Sequence, residues 1–182
     1  MASDSQFIEE LIAQSNSDFV NPELIQFIGN DKDLFKILMD FVFDDDWLIN
    51  QRASWVVYPV IKKYPQLLNP YIQKIIDHLD KANHDSYVRN TMRLFQEIEI
   101  PEINHAKLYD YCINLISDIK QAVAIKVFAM TVCYRIAAPY PELLKELKMI
   151  IETQLPHEKP GFKSRGRKTL VLIEKDLKRD VF

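Results

Sequence analysis

The sequence predicts an all-α protein built as a stacked array of about four antiparallel helix pairs. Seven residues, Ala53, Val56, Tyr58, Tyr64, Pro65, Leu67 and Leu68, recur 76 positions later as Ala129, Val132, Tyr134, Tyr140, Pro141, Leu143 and Leu144. Pro101-Glu102-Ile103 is a weaker copy between them, so the unit is about 38 residues, within the range of helix-pair arrays. Pro22, Pro65, Pro101 and Pro141 are each followed by Glu or Gln and then Leu or Ile. Proline is tolerated in the first helical turn, where its missing N–H has no intrahelical partner. These prolines therefore punctuate helices. Glycine occurs only three times in 182 residues, which suits helices joined by short connectors and leaves no glycine-rich phosphate loop.

Apolar residues at helical spacing place the elements in order. Phe7, Ile8, Leu11 and Ile12 mark a short N-terminal helix. Leu24, Ile25, Phe27 and Ile28 mark a second, stopped by Gly29-Asn30. Leu34, Phe35, Ile37, Leu38, Phe41 and Val42 line a third. Asp44-Asp45-Asp46 then offers an N-cap and favourable charge to a long helix carrying Leu48, Ile49, Trp55, Val56, Val60 and Ile61. Pro59 falls inside that helix and predicts a kink or break. Asn69-Pro70 reads as cap and first residue of the next helix, through Leu79. After a polar turn over Asn83 to Ser86, Asp85 is expected to cap a helix through Phe95. A third pair runs from Leu108 to Ile116 and from Ile119 to Ala138, divided at Ser117-Asp118. The stretch from Ala122 to Cys133 is almost wholly apolar, as for a helix packed on several sides. The last pair is Leu143 to Leu155 and Phe162 to Leu177, followed by a charged, solvated end. The expected organisation is one domain over residues 1–182. Cap helices take about 5–30, and repeats take about 31–65, 66–100, 101–140 and 141–178.

The net charge of −3 supplies no global attraction for nucleic acid. No apolar run approaches the ~18 residues that span a membrane, and Met1 to Glu10 lacks the basic-then-apolar pattern of a secretion signal. A cytoplasmic location is expected. It suits Cys112 and Cys133, which read as buried reduced thiols without metal-type spacing. His78, His84, His105 and His157 are scattered and read as structural or surface residues, so no metal site and no cofactor are expected. There is no Gly-x-Ser-x-Gly, His-Glu-x-x-His or Walker loop.

The second helices carry Arg52 after Asp46, Arg89 after Asp85, and Arg165, while the third copy has Asp118 with Ala122 or Lys126 where an arginine would stand. Asp then Arg, followed by small and apolar positions over roughly residues 31 to 177, resembles the HEAT and armadillo-type repeat families. A more distant resemblance is to the HEAT-like DNA alkylation repair proteins. The resemblance implies a right-handed superhelix of helix pairs with a concave face that holds another macromolecule, and Asp and Arg residues that tie neighbouring pairs together. The enzymatic branch uses a basic groove with aromatic and acidic residues, for which Trp47, Trp55 and Asp44 to Asp46 are the candidates here. Net acidity counts against that branch.

Trp55 belongs to the repeating apolar pattern and is expected in the core. Trp47, beside the acidic run, is a candidate binding anchor. Arg52, Arg89, Arg93, Arg165 and Arg167 are candidates for planar recognition of an acidic peptide or a phosphate. Lys163, Arg165, Arg167 and Lys168 form the one dense basic cluster, at a helix start. The reading is a non-enzymatic scaffold binding another protein through its concave or end surface. The alternative is a nucleic-acid binder or a glycosylase-like repair enzyme.

Overall fold

The computed structural model describes residues 2–16, 18–81 and 84–179. Among these residues there are ten α-helices, three single 3-10 turns and no strand. The helices are α1 (Ala2–Ala13), α2 (Pro22–Ile28), α3 (Lys32–Val42), α4 (Trp47–Lys63), α5 (Ile72–Leu79), α6 (Asp85–Phe95), α7 (His105–Ser117), α8 (Val123–Ala137), α9 (Pro141–Gln154) and α10 (Pro160–Arg179). They gather into two compact units, residues 1–97 and 98–182.

In the first unit α4 is central and packs on α1, α2, α3 and α6. Its Ala53, Val56, Val57, Val60 and Ile61 are buried, and α3 meets it with Phe35, Leu38, Met39 and Val42. Burying each of these larger side chains contributes about 1.5–3 kcal/mol against exposure. In the second unit α8 holds the equivalent place against α7, α9 and α10. This is why the apolar residues echo: Ala53 and Val56 in α4, and Ala129 and Val132 in α8, are the buried contacts of the two central helices.

The helix starts show local chemistry. Asp46 caps α4, its Oδ1 accepting from the N–H of Leu48 at 2.8 Å and of Ile49 at 3.4 Å. Asp44 Oδ1 accepts from the Asp46 N–H at 2.8 Å, so the acidic run builds the turn as well as the cap. Gly29 closes α2 at φ 48°, and its N–H donates to the Ile25 carbonyl. The helix α4 runs through Pro59 to Lys63 without a break.

Several expectations are corrected. Asn69-Pro70 does not start an α-helix; residues Asn69–Tyr71 form a 3-10 turn and α5 begins at Ile72. Pro65 and Pro70 each lack a donor, so the chain between them closes only short turns. The cap of α6 is His84 rather than Asp85, with its Nδ1 accepting from the Ser86 N–H at 3.2 Å. Asn83, part of the expected polar turn, lies outside the described residues. The helix α8 begins at Val123, not at Ile119, which is 85% exposed in the preceding loop. The Asp118 carboxylate there accepts from the Lys120 N–H and holds a turn in place of a helix.

Equivalent helices use different devices at the same place. Asn50 in α4 and Lys126 in α8 stand 76 apart and are both buried polar residues. The Asn50 amide donates to the Val42 carbonyl at the end of α3. The Lys126 ammonium instead reaches Gln154 at 3.2 Å and Glu158 at 2.5 Å, beyond the end of α9. The thiols of Cys112 and Cys133 are buried and unbonded to each other. Burial pushes both up, away from the reactive thiolate.

Candidate functional site

Two cavities of similar size open on the first unit, and each gathers aromatic and charged side chains. The first, of about 220 Å³, lies where the N-termini of α4 and α6 meet the end of α5. Trp47 opens α4 and is 53% exposed. The His84 ring stacks on its indole, with centroids 4.9 Å apart and planes 19° from parallel. Because His84 Nδ1 accepts the Ser86 N–H, its lone pair is committed there and the imidazole is held in one orientation. The Asp44 and Asp45 carboxylates and Lys81 border the same space. At its base, His78 meets Tyr87 edge-on at 4.9 Å and Phe43 edge-on at 5.5 Å. Burial, with Lys81 and Lys74 nearby, lowers the His78 pKa from its ordinary 6.5 and favours the neutral ring.

The second cavity, of about 210 Å³, lies along α4 and α6, with Asp18 and Val20 at its edge. Trp55 and Tyr58 from α4 face it, with Asn90 and Arg93 from α6. The Arg93 guanidinium carbon sits 4.4 Å from the Tyr58 ring centre, a cation–π contact. The Asn90 Nδ2 is buried and has no hydrogen-bond partner among the described residues. Trp55, expected in the core, is half-buried on this surface. The repeating apolar pattern carries its neighbour Val56 inward, and one position along a helix turns the side chain by about 100°.

The candidate residues therefore separate. Trp47 joins the acidic run in one cavity, and Arg93 joins Trp55 in the other. Arg52 and Arg89 are half-buried and border neither cavity. Among the described residues neither forms an ion pair with Asp46 or Asp85. Arg165 and Arg167 lie on α10 in the second unit, where Arg165 matches Arg89 at the 76-residue spacing. Between them Gly166 is buried, and a Cβ there would come within 2.8 Å of Leu155 Cδ1.

Sequence reasoning missed His78, His84 and Asn90. The histidines looked scattered because their convergence depends on the α5–α6 connection. The one available signal was His84 immediately before Asp85-Ser86, a capping position. Among the described residues no three His, Cys, Asp or Glu side chains gather as metal ligands, and no helix is long and apolar enough to cross a membrane.

A family model described as the HEAT repeat domain matches residues 7–173, and the chain belongs to that family. No curated protein and no solved structure matched the chain.

Proposed function

We propose that this HEAT repeat protein is a non-enzymatic scaffold that binds another protein through the face where α4 and α6 lie side by side. The observation that carries the reading is a cavity that brings Trp55 and Tyr58 of α4 together with Arg93 of α6. Its volume is below the ~300–1,000 Å³ of small-molecule sites and suits one side chain or peptide group of a partner. Arg93 lies over the Tyr58 ring, and a guanidinium there suits the forked recognition of a partner carboxylate. Aromatic and arginine anchors of this kind dominate protein interfaces. Cytoplasmic placement and the absence of a cofactor belong to the same proposal.

The test is affinity capture on the full chain, comparing wild type with Trp55→Ala and Arg93→Ala by quantitative mass spectrometry. Loss of the same captured proteins from both variants is the expected result. Unchanged capture in both overturns the assignment of this face. A labelled DNA duplex that binds tightly, with affinity falling steeply as salt rises, would overturn the protein-partner reading itself.

A further inference from the structure

We infer that the Trp47 cavity is a separate receptor for a guanidinium group, the side chain of an arginine presented by a partner protein. Trp47 projects an indole that is 53% exposed at the first position of α4, where an apolar ring gains nothing from solvent. His84 braces it from one side, and the α6 cap fixes His84. The stack orients the indole beside the cavity and leaves its other face for a ligand to cover. Beside it stand two carboxylates. Asp44 spends one oxygen on the Asp46 N–H, while Asp45 makes no hydrogen bond or ion pair among the described residues. A planar cation satisfies both features at once, stacking on the indole and donating to the carboxylates. A guanidinium fits better than an ammonium, because it is flat, weakly hydrated and forked. Lys81 also lines the cavity and opposes a bound cation.

The site is distinct from the α4–α6 face, so the two assignments fail independently. The probe is an acetylated, amidated pentapeptide with one arginine among glycines, added to the 182-residue chain. Lysine and glutamate versions and inorganic phosphate serve as comparisons. The readout is the Trp47 indole N–H resonance, assigned through Trp47→Phe, with Trp55 as internal reference. The arginine peptide should shift the Trp47 signal saturably and leave Trp55 unmoved. The lysine peptide should bind several-fold more weakly, and the glutamate peptide and phosphate should not bind. Asp45→Asn and Asp44→Asn should each weaken binding by up to about fivefold, the scale of an exposed charge pair. An Asn at 44 retains an oxygen for the Asp46 N–H, so the turn survives. Lys81→Gln should strengthen binding, and Arg93→Ala should leave it unchanged. The inference is overturned if the arginine peptide leaves the Trp47 signal unmoved. It is equally overturned if glutamate or phosphate binds as well, or if Lys81→Gln weakens binding.

Discussion

The Lys126 ammonium, fully buried in α8, lies 2.5 Å from a carboxylate oxygen of Glu158, whose side chain is 14% exposed. Gln154 accepts a second bond from the same ammonium, and Phe162 lies beneath it with its ring centre 5.6 Å away. Breaking a buried pair costs about 3–5 kcal/mol because one charge is left without compensation. Glu158→Ala should therefore lower the urea midpoint more than Lys126→Met, since it is the lysine that cannot reach water. Replacing both residues with apolar ones should recover most of the loss. A larger loss in Lys126→Met than in Glu158→Ala would contradict this account.

Gly29 ends α2 at φ 48° and ψ −130°, a backbone region that side chains avoid. An added Cβ would meet only the Gln26 carbonyl at 3.4 Å, an ordinary contact. The penalty therefore lies in the backbone rather than in crowding. Gly29→Ala should destabilise the protein by about 1–3 kcal/mol in denaturant unfolding. Gly29→Asn should bring no rescue, because asparagine tolerates the left-handed helical region and not this one.

The two echoed tyrosines should respond differently to loss of the hydroxyl. Tyr134 donates to Asp176 at 2.6 Å, and burial first, then that carboxylate, raises its pKa to about 12. Tyr58 presents its ring to Arg93, and its hydroxyl makes no hydrogen bond among the described residues. Tyr134→Phe should cost about 1–2 kcal/mol, and Tyr58→Phe close to nothing, measured by thermal or urea unfolding.

Stability should fall on mild acidification through His78. Its folded pKa lies below 6.5, chiefly from burial and then from Lys81 and Lys74. Above pH 6.5 the ring is neutral folded and unfolded, so stability is level there. As pH falls from 6.5 toward the folded value, the unfolded chain takes up a proton that the folded chain does not. Stability drops across that window and levels off below it. His78→Gln should flatten this part of the profile, and an unchanged slope in the variant would assign the effect elsewhere.

The residues that repeat were legible because packing and punctuation act locally. Ala53, Val56 and Pro65, with their partners Ala129, Val132 and Pro141, declare helix faces and helix starts. Even so, the same Tyr-Pro signal has two outcomes. After Tyr140 the chain enters α9 directly, whereas after Tyr64 it makes two 3-10 turns before α5. Pro70, with no counterpart at the matching place (Glu146), removes another donor and defers the helix.

By itself the sequence determined an all-α HEAT repeat chain, most of its helices, an acidic cap from the run Asp44 to Asp46, and the buried thiols. These follow from periodicity and capping, which depend on residues a few positions apart. Only the tertiary structure decided which side chains meet. It set His84 on Trp47, Arg93 on Tyr58 and Lys126 on Glu158, and it turned Trp55 outward beside an unpartnered Asn90. Such pairings depend on how separate helices approach one another, and no local pattern encodes that distance.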